Sequence, residues 1–245
     1  MSDDPRAAAG AKPVGEGDEG TVPSVSRRAL LIGVGSTVAL LGLGSMKYFG
    51  SASLVRPPGG QDEASLVSKC VHCYRCVEAC PSKVIVPARL EHGVFNMQTP
   101  RLEFSECTPG NLDIMRYCDF CVEDNGGVPR CAQVCPTTAL DLGAYRSADD
   151  AVIGKAEIDP ELCIAYRSGH CAYCFDACVK ARGEGKAAIY YSNVGDSRDH
   201  STRLPVVDAD KCNGCGACEA VCVSAQAGST RNASVRAIVV KPLQD

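Results

Sequence analysis

Polar and apolar positions change character along the chain. Residues 1–25 are polar and rich in Gly, Pro and acidic side chains. Arg27 and Arg28 follow, and the 18-residue stretch Ala29–Met46 is then moderately apolar but broken by Gly33, Gly35, Gly42 and Gly44. A stable membrane-spanning helix takes about 20 strongly apolar residues, and this stretch falls short of that. Further on, short β-rich runs recur at Val84–Val86, Ala139–Leu142, Ala156–Ile158, Ala188–Tyr191, Leu204–Val207 and Ala237–Val240, each expected as a short strand. Cysteine-bearing loops lie between these runs, with short helices expected from Cys76, Cys131, Cys174 and Cys218 onward. Asp159-Pro160-Glu161-Leu162-Cys163 and Asp208-Ala209-Asp210-Lys211-Cys212 repeat one approach to such a loop.

Composition narrows the means by which this pattern folds. With 245 residues the chain can form one or two small domains. Aromatics make up only 5%, Trp is absent and there are 24 Gly, so aromatic packing cannot carry the core. Seventeen cysteines are the alternative. The formal net charge of −4 and the lack of any Lys/Arg-rich run argue against a nucleic-acid partner.

Sixteen of the cysteines fall into four groups. The first, Cys70, Cys73, Cys76, Cys80 and then Pro81, has the bacterial ferredoxin spacing Cys-x2-Cys-x2-Cys-x3-Cys-Pro. Three thiolates two residues apart share one tight loop and grip three corners of an iron–sulfur cubane; the fourth starts elsewhere and, in two-cluster ferredoxins, ligates the other cluster. The last group, Cys212, Cys215, Cys218 and Cys222, repeats that spacing, with Gly214 and Gly216 between ligands and Val223 in place of Pro. The second group, Cys118, Cys121, Cys131 and Cys135, keeps the ends but carries the insert Val122–Arg130, which reads as a turn-forming loop through Gly126-Gly127 and Pro129. The third, Cys163, Cys171, Cys174 and Cys178, places its insert, with Gly169, between the first two ligands. A loop excursion between fixed ends costs little. Four groups ending in Cys-x3-Cys supply sixteen ligands, enough for four [4Fe–4S] clusters.

Other uses of these cysteines fit less well. An odd count and cysteines two residues apart suit a disulfide framework poorly. Zinc takes two Cys-x2-Cys knuckles, and the triplets here would leave ligands over. No Cys-x2-Cys pair is followed by His, which excludes c-type haem attachment, and no dinucleotide fingerprint follows a strand. Cys107 is left over in the turn-like Glu106–Gly110 segment; it reads as a free thiol or as a substitute ligand for the second group, whose spacing also admits a three-iron cluster. His72 and His170 lie inside cysteine loops, where they are either solvated or hydrogen-bonded to cluster sulfur; His92 and His200 show no ligand spacing.

The expected fold is α+β: two bacterial-ferredoxin-like dicluster domains packed together, loop-rich, with short helices and two-stranded sheets. Residues 1–52 are expected as a polar N-terminus and signal segment, and residues 53–245 as the four-cluster region. Ser26-Arg27-Arg28-Ala29-Leu30-Leu31 and the apolar stretch behind it have the layout of a twin-arginine export signal. A cleavage point is expected after Gly50-Ser51-Ala52, with an uncleaved membrane anchor as the alternative. That export route carries folded proteins, which suits a cofactor built in the cytoplasm.

With these features in place the chain resembles the NapG/MauM family of exported ferredoxin-type proteins over roughly residues 26–245. The resemblance rests on Arg27-Arg28, on Val55-Arg56-Pro57-Pro58-Gly59-Gly60 ahead of the first group, on Cys118–Pro136, on the Cys163-x7-Cys171 spacing and on Val206-Val207 before Cys212. The Val122–Arg130 insert and the Ala225–Ser234 stretch depart from the pattern. The resemblance implies a periplasmic electron carrier. Its partners would be a NapH-like membrane protein that oxidises quinol and a periplasmic oxidoreductase such as nitrate reductase or one serving methylamine oxidation. Association with the membrane would come through that partner or an uncleaved signal. A maturation factor for a partner redox enzyme is the alternative function, and an iron–sulfur enzyme would need an open iron beside an acid or base. Related four-cluster subunits also imply pairing of the first group with the fourth and the second with the third. That gives Cys70/Cys73/Cys76/Cys222, Cys212/Cys215/Cys218/Cys80, Cys118/Cys121/Cys131/Cys178 and Cys163/Cys171/Cys174/Cys135. Sequential pairing, first with second and third with fourth, is the rival.

Overall fold

The computed structural model describes residues 26–49, 53–104, 115–143, 147–148, 151–168, 171–193, 203–222 and 236–243. Residues 1–25, the Gly50-Ser51-Ala52 cleavage point, Cys107, Gly169, His170, His200 and the Ala225–Ser234 stretch lie outside them. The chain divides into two compact units, residues 1–45 and 46–245.

The first unit holds most of α1 (Arg27–Phe49). Its glycines each cost a helix about 1 kcal/mol relative to Ala, yet the helix continues through them. Ser36 and Thr37 donate their hydroxyls back to the Gly33 carbonyl at 3.0 and 2.8 Å. Leu30, Leu31, Ile32, Val34, Val38 and Leu40 are exposed on it. Among the described residues no helix is long and apolar enough to cross a membrane.

The second unit is built from short elements joined by cysteine loops. It begins with α2 (Glu63–Lys69), which Asp62 caps by accepting the Ser65 N–H at 3.0 Å. Then come α3 (Arg75–Ala79), β1 (Ile85–Pro87), β2 (Pro100–Leu102), α4 (Val122–Asn125) and α5 (Arg130–Gln133). The remainder is β3 (Lys155–Ile158), α6 (Ile164–Ser168), α7 (Tyr173–Arg182), β4 (Ile189–Asn193), β5 (Arg203–Val207), α8 (Ala217–Val221) and β6 (Ile238–Lys241).

Among the described residues three two-stranded antiparallel sheets result: β1 with β2, β3 with β6, and β4 with β5. In the C-terminal half, the strand before the third cysteine group pairs with the strand after the fourth, Glu157 opposite Val239, while β4 and β5 join the two groups. Helices α7 and α8 pack together between them. The N-terminal half carries the β1–β2 sheet, with α3 packed against α5. This is the α+β, two-module ferredoxin-like arrangement that the sequence leads one to expect.

Several details differ from those expectations. Ala139–Leu142 is not a strand. The Leu140 and Ala139 N–H groups turn toward the Cys135 sulfur, and the Asp141 N–H donates to the Gly59 carbonyl at 2.8 Å, so no ladder partner is left for them. β2 was not foreseen, because a strand opening with Pro and lying between loops carries little periodic signal. The Val122–Arg130 insert begins with a helical turn, α4, closed by Gly126 in the left-handed region, and the third group's insert contains α6.

A main core runs through the second unit, with a smaller buried cluster at Cys163, Ala165 and Ala237. Leu66, Val84, Ile85, Leu102, Phe104, Phe120, Ile153, Val221 and Ile238 are buried together with cysteines of all four groups. The two halves meet where Phe104 lies on Gly216, whose φ is +85°; a Cβ there would stand 2.2 Å from the nearest Phe104 ring carbon. The Gly216→Ala variant therefore combines backbone strain with loss of this contact, and about 2–4 kcal/mol of destabilisation is expected. It should appear as a lower denaturant midpoint of the intact protein; an unchanged midpoint would contradict the close packing of the halves.

Candidate metal centres

None of the sixteen grouped cysteines forms a disulfide. They collect into four quartets, each taking three members from one group and one from its neighbour. Cys70, Cys73 and Cys76 line a cavity with Cys135. Cys163, Cys171 and Cys174 line another with Cys222. Cys212, Cys215 and Cys218 surround a third with Cys178. Cys118, Cys121 and Cys131 each lie close enough to Cys80 to feel its charge. The pairing is sequential, first group with second and third with fourth. The pairing of the first group with the fourth, and of the second with the third, is not what the structure shows. Local chain order, through the β1–β2 and β4–β5 connections, brings neighbouring groups together.

Short helices deliver the exchanged cysteine. Cys76 and Cys80 are i and i+4 across α3, as are Cys131 and Cys135 across α5, Cys174 and Cys178 on α7, and Cys218 and Cys222 across α8. Residues four apart sit on one helix face about 5–6 Å apart. Each helix can therefore face one quartet with its first turn and the neighbouring quartet with its end. The loops ahead of the helices need unusual backbone: Tyr74 before α3 and Cys121 before α4 adopt left-handed φ of 58° and 56°.

The two halves touch through the inner quartets. The Cys118 N–H donates to the Cys215 carbonyl at 2.8 Å, and the Ile153 N–H donates to the Asn213 carbonyl at 2.9 Å. In space the order is Cys70/Cys73/Cys76/Cys135, then Cys118/Cys121/Cys131/Cys80, then Cys212/Cys215/Cys218/Cys178, then Cys163/Cys171/Cys174/Cys222. Exposure varies along that order. Cys73 is exposed and Cys70, Cys76 and Cys135 are half-buried at one end; Cys118 is half-buried beside buried Cys80, Cys121 and Cys131; Cys178, Cys212, Cys215 and Cys218 are all buried; at the other end Cys171 and Cys222 are half-buried and Cys163 and Cys174 buried.

Burial dominates the thiol chemistry. It pushes the pKa of Cys76 up to about 11 and that of Cys215 up to about 12, and raises Cys118, Cys131, Cys174 and Cys218 as well. Part of the Cys118 residue reaches the surface, but its sulfur lies inside. Cys135 goes the other way. Burial alone would raise it, but N–H donors from Leu140, Thr137 and Ala139 and the Thr137 hydroxyl outweigh that and lower it. Backbone N–H groups face sulfur elsewhere too: Ala188 to Cys178 at 3.2 Å, Ala156 to Cys212 at 3.4 Å, His72 to Cys70, and Ile238 and Ala237 to Cys222. It is thus the backbone of His72 that reaches the Cys70 sulfur.

The donor sets suit a multi-atom core. A single zinc ion holds its thiolates at about 2.3 Å, which draws the sulfurs to within about 4 Å of one another. Among the described residues no three His, Cys, Asp or Glu side chains converge in that way. The sulfurs of three quartets line cavities that open to solvent. All-thiolate donors and facing N–H groups match the chemistry of [4Fe–4S] cores. The backbone donors carry no sequence signal, because every residue but Pro has one. Arg56, buried beside the first cavity, was legible only as part of an unexplained run before Cys70.

Known proteins agree with this chemistry. A 4Fe-4S binding domain model matches residues 67–86, and a second 4Fe-4S binding domain model matches residues 204–228. The ferredoxin-type protein NapG of Escherichia coli is 34% identical over 195 residues, covering 79% of this chain and 77% of that protein. The methylamine utilization ferredoxin-type protein MauM of Methylorubrum extorquens is 33% identical over 214 residues, covering 83% of this chain and 87% of that one. The ferredoxin-type protein NapF of Escherichia coli is 28% identical over 169 residues, covering 69% and 79%. No solved structure matches the chain. At this identity and coverage, and with four cysteine quartets in a ferredoxin-like fold, the chain belongs to the NapG/MauM family of ferredoxin-type 4Fe-4S electron-transfer proteins.

Proposed function

We propose that the chain holds four [4Fe–4S] clusters and relays electrons in the periplasm between a membrane quinol-oxidising partner of the NapH kind and a periplasmic oxidoreductase. The observation that carries this reading is the set of four sulfur quartets in unbroken spatial succession. The end quartets hold one exposed and five half-buried cysteines, whereas the inner quartets hold one half-buried cysteine and seven buried ones. The ligand sets are Cys70/Cys73/Cys76/Cys135, Cys118/Cys121/Cys131/Cys80, Cys212/Cys215/Cys218/Cys178 and Cys163/Cys171/Cys174/Cys222. A cubane takes up and returns one electron, at a potential set by hydrogen bonds, charge and exposure. The protein's part is to hold the thiolates still, to face them with N–H dipoles and to keep water from the inner quartets. Kinship with NapG favours nitrate reductase as the acceptor system; the MauM relatives leave methylamine oxidation as the other destination.

Arg27-Arg28 ahead of the Gly-interrupted α1, with Leu30, Leu31, Ile32, Val34, Val38 and Leu40 exposed on it, supports export by the twin-arginine route. A chain loaded with clusters has to be folded before it crosses.

About sixteen iron and sixteen acid-labile sulfide per chain are expected in anaerobically purified protein; about eight of each would halve the cluster count. Single Cys→Ser exchanges test the pairing. Cys222→Ser should alter the same electron paramagnetic resonance component as Cys171→Ser, and Cys135→Ser the same one as Cys73→Ser. If Cys222→Ser instead matched Cys73→Ser, the sequential ligand sets would be wrong. Replacing Arg27 and Arg28 together by Lys should leave the loaded protein in the cytoplasm, as fractionation would show; unchanged periplasmic protein would refute this export route.

A further inference from the structure

The segment Val55-Arg56-Pro57-Pro58-Gly59-Gly60 carries no ligand sulfur. It nevertheless touches three of the chain pieces that line the Cys70/Cys73/Cys76/Cys135 cavity: α2, the start of β2, and the loop after Cys135. Arg56 is its centre and is 2% exposed. Its guanidinium has five donors in a rigid fork, and all five have acceptors. Nε donates to Glu63 Oε2 at 2.7 Å and Nη2 to Glu63 Oε1, which fixes the first turn of the helix that ends at Cys70. Nη1 donates to the Thr99 hydroxyl and the Pro100 carbonyl, both at 2.8 Å, and Nη2 also donates to Asn96 Oδ1 at 3.1 Å. A buried charge this fully bonded is strongly destabilising to break by removing one partner.

The far end of the segment reaches the exchanged ligand. Gln61 closes the turn, accepting the Gly59 N–H at 3.0 Å and donating to the Pro57 carbonyl at 3.1 Å. The Gly59 carbonyl then accepts the Asp141 N–H at 2.8 Å, and Gly60 lies against the Leu140 side chain. Leu140 is one of the residues whose N–H faces the Cys135 sulfur. Gly59 has φ +86°, and a Cβ on it would stand 2.8 Å from the Asp141 carbonyl oxygen, so only glycine allows this approach.

We infer that Arg56 is a positioning residue for the first quartet: through the 55–60 turn it holds Leu140 and Asp141 so that their loop presents Cys135 and its N–H donors to the cluster shared with Cys70, Cys73 and Cys76. The inference rests on the ligand sets proposed above. N–H dipoles facing sulfur favour the more negative, reduced state and so raise the potential. Loosening the loop removes them and lowers it.

The test is a redox titration of the full-length, cluster-loaded protein followed by electron paramagnetic resonance, with iron counted in parallel. Cys135→Ser marks the component that belongs to the first quartet. In Arg56→Gln and in Gly59→Ala that same component is expected to move to lower potential, or to be lost with about a quarter of the iron, while the other components stay in place. Arg56→Lys keeps the charge but not the fork, and its shift should lie between wild type and Arg56→Gln. If Arg56→Gln does not fold, Gly59→Ala decides, since it pushes on Asp141 without touching the buried charge. The inference is overturned if the marked component stays at its wild-type potential in the folded variants, or if all components shift alike. Absence of cubane signals from the wild-type protein would instead overturn the four-cluster reading.

Discussion

Sulfur has to be kept away from water in this protein and yet be able to carry negative charge. Most of the sixteen grouped cysteines are buried or half-buried, in a core with few large aromatics. A buried thiolate is costly unless positive charge or N–H dipoles face it. In the metal-free chain the thiols answer by holding their protons, and burial is the leading cause of the raised pKa at Cys76, Cys174 and Cys215. Iron replaces those protons and supplies the missing charge, so loading and folding reinforce each other.

That constraint explains the economy of the surrounding structure. Strands are three to five residues long and helices mostly four to seven, because each element has only to place a sulfur or a facing N–H. The helix α3 faces one quartet with Cys76 and ends at Cys80 in the next. The same device in α5, α7 and α8 locks each pair of groups into one module. The modules are then joined by the backbone of the grouped cysteines themselves, the Cys118 N–H on the Cys215 carbonyl. Spatial order consequently differs from chain order: the fourth group stands inside, and the third reaches the far end.

The Arg56 fork shows how a segment without chemistry of its own can matter to an electron carrier. A cubane's potential depends on small displacements of N–H groups around sulfur. A loop such as Thr137–Asp141, which lacks a ladder, has no secondary structure to hold such groups. The buried guanidinium and the Gly59 turn provide that rigidity from outside the loop.

Much of this was legible in the cysteine spacing. Cys-x2-Cys-x2-Cys-x3-Cys points to a 4Fe-4S cofactor because three thiolates on one tight loop and a fourth displaced by a helical turn suit little else. The α+β class, the short helices at Cys76, Cys131, Cys174 and Cys218, and the strands near Ala156, Ala188, Leu204 and Ala237 followed from the same local pattern. What spacing cannot express is which loop a displaced cysteine reaches. Every group ends in the same Cys-x3-Cys, so sequential and crossed pairing read alike, and only the packing of α3 with α5 and α7 with α8 separates them. The irregular Ala139–Leu142 run, the N–H donors to sulfur and the burial of Arg56 belong to the same class. Each depends on which distant atom the folded chain brings within hydrogen-bonding reach, and local sequence holds no record of that.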